Sequence, residues 1–86
     1  MKVIKFFKSG CPPCKKLSPI TKEIAAEYPE VEWQGVDIEK ERELAQQFGV
    51  RSVPTMVFIK SDEEVDRLVG LVPKKEIEER VFLLME

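Results

Sequence analysis

The chain has 86 residues, 43% hydrophobic and 35% charged, which suits one modest core and one domain, residues 1–86, with no room for a second. The net charge of −2 conceals a lopsided distribution: residues 1–22 carry six lysines and no acid, and the remainder carries eight basic and sixteen acidic side chains. A pI near 5.3 and the lack of an aromatic-rich basic stripe argue against a nucleic-acid partner.

The absence of histidine excludes a Cys–His nucleophile pair and a Ser–His–Asp triad, and it leaves a zinc site only carboxylates to add to two thiolates. Four glycines form no phosphate-cradling loop, so no nucleotide cofactor is expected. The longest apolar runs, Met56 to Ile59 and Val81 to Met85, are too short to span a bilayer. The lysine-studded N-terminus carries no signal-peptide apolar region, and the expected address is the cytoplasm, without membrane attachment. Thiol chemistry is what remains.

In chain order, Val3 to Phe7 is an apolar run broken by Lys5 and reads as a buried parallel strand. Lys8-Ser9-Gly10 turns the chain into a helix from Pro13 to about Tyr28, whose inward face carries Leu17, Ile20, Ile24 and Ala25. Pro19 lies inside it and is expected to bend the helix without dividing it. Val31 to Ile38 reads as a strand, and Glu41 to Phe48 as a short helix closed by Gly49 in a left-handed cap.

Thr55 to Ile59 and Val65 to Val69 read as antiparallel strands joined by the five residues Lys60 to Glu64. Pro73 opens a last helix with Ile77, Val81 and Leu84 facing inward; Phe82, Leu83 and Met85 widen that stripe, as fraying end residues or as a contact patch. The order β-α-β-α-β-β-α predicts an α/β fold, a mixed four-stranded sheet with helices on both faces.

Cys11-Pro12-Pro13-Cys14 sits where the first strand hands over to the first helix. A thiol at a helix N-terminus faces unsatisfied N–H groups that favour the thiolate, so an exposed Cys11 is the expected nucleophile and Cys14, in the first turn, its resolving partner. Pro12 and Pro13 have no N–H, which leaves Cys14 and the residues after it as donors to Cys11. The alternative is an inert staple, a four-residue loop worth only about 2 kcal/mol. Val53-Pro54 likewise admits two readings, a trans proline opening an edge strand or a cis turn.

Three landmarks bear on these choices: Lys8-Ser9-Gly10-Cys11-Pro12-Pro13-Cys14-Lys15 with the helix proline Pro19, Gly49-Val50-Arg51-Ser52-Val53-Pro54-Thr55, and Val69-Gly70. In this order and spacing they resemble the thioredoxin family along nearly the whole chain, in a minimal or glutaredoxin-sized form without the extra N-terminal strand and helix. The resemblance implies a minimal thioredoxin fold and a protein-disulfide oxidoreductase that works as a monomer through a redox-active Cys11–Cys14 disulfide, with no other cofactor and no metal. It implies that Pro54 is cis and that Pro12, Pro13, Val53, Pro54, Gly70 and Leu71 contact a substrate strand laid along the preceding backbone.

Expected partners are disulfide-bearing proteins and, as electron source, a thioredoxin reductase ahead of glutathione. The paired glycines and acid that hold glutathione in glutaredoxins are missing from Val69-Gly70-Leu71-Val72, although Lys8 and Arg51 remain available to an anionic thiol. Two departures stand out: Gly10 replaces the usual tryptophan, and Lys5 replaces the usual buried acid. Lys5 either extends its head to solvent or exchanges protons after partial burial. The rival readings are a glutathione-coupled glutaredoxin-like reductase, a module bridging an iron–sulfur cluster between chains, and a non-redox interaction platform.

Overall fold

The computed structural model describes residues 1–85. Seven elements follow one another: β1 (Lys2–Phe7), α1 (Pro12–Glu27), β2 (Glu32–Asp37), α2 (Arg42–Gln47), β3 (Thr55–Lys60), β4 (Glu63–Val69) and α3 (Lys74–Leu84). They form one sheet in the order β2-β1-β3-β4. β1 pairs parallel to β2, with Lys5 opposite Gly35, and antiparallel to β3, with Lys5 opposite Met56. This is the mixed four-stranded β-α-β-α-β-β-α arrangement that the sequence predicts.

Alternation along β1 and β3 divides the core in two. Val3, Met56 and Phe58 meet Leu17 and Ile24 of α1 and Ile77 and Val81 of α3 on one face. Ile4, Phe6 and Val57 meet Val36 and Ala45 on the other, with Leu44 and Phe48 packed alongside. Helices therefore cover both faces. Arg80 Nη1 donates to Asp66 Oδ2 at 2.7 Å and ties α3 to β4.

α1 runs unbroken through Pro19 and has two prolines at its start, where the missing N–H groups have no intrahelical partner to lose. Gly49 takes φ +63° after α2, the left-handed stop expected there. The β3–β4 connection is tighter than the sequence suggests. Glu63 and Glu64 belong to β4, and the turn is Ser61-Asp62 alone, with φ +54° and +63°. Two adjacent positive φ values fit a two-residue hairpin of the primed type, a geometry that residues other than Asn-Gly conceal. Phe82 and Leu83 are exposed, whereas Leu84 and Met85 pack against the α1/α3 core. Among the described residues no helix is long and apolar enough to cross a membrane.

Candidate active site

β1 ends at Phe7, and Gly10, at φ +71°, turns the chain into α1. Cys11 is the N-cap of α1, with extended backbone angles; its Sγ accepts from the Cys14 amide at 3.2 Å and its carbonyl accepts from the Lys15 amide at 3.1 Å. The missing donors of Pro12 and Pro13 thus leave Cys14 as the first amide able to serve the sulfur, as the sequence requires. Cys11 and Cys14 are joined by a disulfide with their Cα atoms 5.2 Å apart.

The expectation of an exposed Cys11 is overturned. Cys11 is 5% exposed and Cys14 7%. The cause lies in the helix face: Cys14, Leu17, Thr21 and Ile24, spaced three, four and three, are the buried residues of α1. Bonding to Cys14 draws the cap sulfur toward that buried face. Gly10 itself is open, with no atom within 4 Å of the position a Cβ would take.

The second landmark lies at the same end of the sheet. Because β1 and β3 run antiparallel with Phe6 opposite Thr55, the chain leaving β1 toward Cys11 lies beside the chain entering β3 from Pro54. The Val53–Pro54 peptide is cis, so the trans alternative is excluded. Pro54 is fully buried, and its carbonyl accepts from the Gly70 amide at 2.7 Å. Its ring is therefore enclosed in this state, contrary to a simple contact role. Val53 is half-buried, and among the described residues its backbone N–H and carbonyl have no backbone partner. Leu71 is 43% exposed and Val69 57%, so an apolar rim flanks Gly70. Pro12 is exposed and Pro13 half-buried at the head of α1.

A cleft of about 450 Å³ opens between β1 and α1, and its lining includes Lys5, Lys8, Gly10, Cys14, Lys15 and Ser18. The Lys5 Nζ donates to Thr21 Oγ1 at 3.4 Å, and Thr21 Oγ1 donates in turn to the Ser18 carbonyl at 3.0 Å. Lys5 is half-buried, and burial, with a smaller push from Lys22, lowers its pKa. The Lys5 head is therefore turned toward α1 and half-buried, not fully extended to solvent. Ser18 and Thr21 were not singled out from the sequence, although they fall four and seven residues after Cys14 on the same helix face. A wider concavity of about 580 Å³ between Glu39 and Gln47 contains neither cysteine and is lined chiefly by charged side chains.

A bonded cysteine pair capping a helix, at the same sheet end as a cis proline, on a β2-β1-β3-β4 sheet, defines the thiol–disulfide oxidoreductases of thioredoxin fold. The family model described as Thioredoxin matches residues 1–82, and the chain belongs to the thioredoxin family. It is similar to the thioredoxin of Chlamydia muridarum, with 43% identity over 84% of this chain and 71% of that protein. It is 40% identical to thioredoxin H5 of Oryza sativa subsp. japonica over 79% of this chain and spans half of that longer protein. Its fold overlays the crystal structure of the thioredoxin NaTrxh from Nicotiana alata with a TM-score of 0.91, at 33% identity over 95% of this chain and 70% of that one.

Proposed function

We propose that the protein reduces disulfides in other proteins, with Cys11 as nucleophile and Cys14 as resolving thiol. The Cys11 thiolate attacks a substrate sulfur, a mixed disulfide forms, and the other substrate sulfur leaves as a thiolate that takes up a proton. Cys14 then attacks Cys11 Sγ, the bond to the substrate breaks, and the second substrate thiol departs. The observation that carries this reading is the Cys14 amide pointing at Cys11 Sγ from the first turn of α1. That donor and the positive end of the helix favour a thiolate at position 11.

The substrate strand lies along Val53, whose backbone has no partner among the described residues, and against Gly70 and Leu71. Pro54 shapes this groove from beneath, and Pro12 and Pro13 form its rim on the helix side. Gly10 adds no side chain of its own beside Cys11, which partly offsets the shielding of the bonded pair. The basic rim of Lys8 and Lys15 draws acidic partners toward it. A reducing cytosol suits this direction of electron flow, with a thioredoxin reductase as the electron source.

A dithiol-driven insulin reduction assay on the wild type, Cys11→Ser and Cys14→Ser tests the reading. Both variants lose turnover, and Cys14→Ser accumulates a covalent adduct with substrate that Cys11→Ser does not form. Turnover supported by glutathione alone, and not by thioredoxin reductase, would transfer the protein to the glutaredoxin-like reading. Full activity in Cys11→Ser would remove the redox role.

A further inference from the structure

Lys5 is a charged residue on the core-facing side of a central strand. It alternates with Val3 and Phe7, stands between Gly35 and Met56 in register, and reaches toward α1, where Thr21 accepts from its Nζ at 3.4 Å. It borders two adjoining clefts. One contains Cys14; the other, about 180 Å³, contains Thr21, Lys22 and Trp33.

The charged groups that meet there all have the same sign. The loop after β1 supplies Lys8, α1 supplies Lys15 and Lys22, and β2 supplies only the uncharged Trp33, Gln34 and Gly35. Among the described residues lining either cleft there is no carboxylate. A proton leaving Cys14 therefore has no acidic side chain to receive it, and a thiolate there has no anion to repel it. Lys5 and Cys14 line one cleft, and a thiol partly removed from water gains more from a cation across such a cleft than an exposed one does, because solvent screens the pair less.

We infer that the Lys5 ammonium is a positioning charge for the resolving half-reaction, holding Cys14 Sγ in its thiolate form. The inference rests on the reading of Cys14 as resolving thiol. In the step it assists, the Cys14 thiol first gives its proton to water. The thiolate attacks Cys11 Sγ, the Cys11–Cys14 bond forms as the bond from Cys11 to the partner breaks, and the electron pair leaves on the partner sulfur. Lys5 keeps its proton throughout. The lowered pKa of Lys5 in the disulfide form fits this arrangement, since the oxidised pair offers it no negative charge.

The test uses Cys11→Ser, in which Cys14 is the sole thiol; its ultraviolet thiolate absorbance is read as the difference from the Cys11→Ser/Cys14→Ser variant, which subtracts the contribution of Tyr28. Adding Lys5→Gln, which retains a hydrogen-bond donor but no charge, raises the Cys14 pKa by about one unit and so cuts the thiolate fraction at neutral pH about tenfold. Lys5→Arg restores the original value. In the chain with both cysteines, release of a chromophoric aromatic thiol from its mixed disulfide with Cys11 shifts its pH midpoint upward in Lys5→Gln, and its high-pH plateau is unchanged. A purely structural role would lower the rate equally at all pH values. An unchanged Cys14 pKa in Lys5→Gln overturns the inference whether or not insulin is reduced, so its failure is separable from failure of the proposed function.

Discussion

The Gly70 amide donates to the Pro54 carbonyl at 2.7 Å, so the residue just after β4 is fastened to the proline just before β3, one step beyond the Thr55–Val69 pair. Gly70 holds φ +88° with empty space where a Cβ would project, so Gly70→Ala meets backbone strain and no clash. The expected cost is about 1 kcal/mol, read as a fall in melting temperature of roughly 4–8 °C. If Gly70 forms part of the substrate groove, kcat/KM for insulin drops by more than the rate with a small aromatic disulfide. Equal losses on both substrates would show that the groove does not extend to Gly70.

The N-cap geometry at Cys11 yields a second expectation. Cap side chains accept from the second or third residue of the helix; here Cys14, the third, donates, and Pro13, the second, cannot. Pro13→Ala returns that donor. A further hydrogen bond to the thiolate lowers the Cys11 pKa by about one unit, measured by iodoacetamide alkylation rate against pH in the reduced protein. An unchanged midpoint would mean that the added amide does not reach Cys11 Sγ.

Much of the architecture was legible because α1 carries a helical period, β3 is a short continuous apolar run and Ile77 and Val81 mark the inward face of α3, with Gly49 supplying the stop expected after α2. The hairpin length was not legible, because Ser61-Asp62 lacks the glycine that marks such turns and Glu63-Glu64 has the composition of a loop. At the site, the sequence located both cysteines and Val53-Pro54 but misjudged the exposure of Cys11. Burial of Cys14 follows from its alignment with Leu17, Thr21 and Ile24, whereas enclosure of Cys11 depends on a bond that spacing alone does not establish. The face on which Lys5 lies was likewise undetermined until the helices were placed on the sheet.

The same turn offers a stabilising change. Ser61→Asn with Asp62→Gly places residues suited to positive φ at both central positions. Less left-handed strain, set against the greater freedom of glycine in the unfolded chain, leaves a net gain of about 1 kcal/mol. Thermal melts should show a rise of several degrees, and insulin turnover is unaffected because the turn lies at the opposite end of β3 from Pro54. A fall in melting temperature would indicate that Ser61 and Asp62 make a contribution beyond their backbone angles.

α1 and α3 are joined at the surface by Lys74, whose Nζ lies 2.9 Å from Glu23 Oε2 and 3.2 Å from Glu27 Oε1. Lys74 holds Glu27 below its ordinary value, chiefly through their hydrogen bond, while Glu78 is held above its own, chiefly by Glu27. The two carboxyls have opposite linkage. Glu27, being depressed, stabilises the fold above its unfolded value of 4.5 and loses that contribution as pH falls through its folded pKa. Glu78, being raised, contributes fully below 4.5 and loses that contribution as pH rises through its folded pKa, so at neutral pH its charge opposes Glu27. Glu78→Gln should therefore raise the melting temperature at neutral pH and low salt, and the gain should vanish at about pH 3, where Glu78, held above 4.5, is already protonated and carries no charge to remove. It should also shrink at about 1 M salt, because all three groups stand in solvent. Lys74→Met should do the reverse, lowering the neutral-pH melting temperature with a deficit that closes on acidification. A Glu78→Gln gain that persists unchanged at acid pH would trace to helix propensity in α3, not to the facing carboxylates.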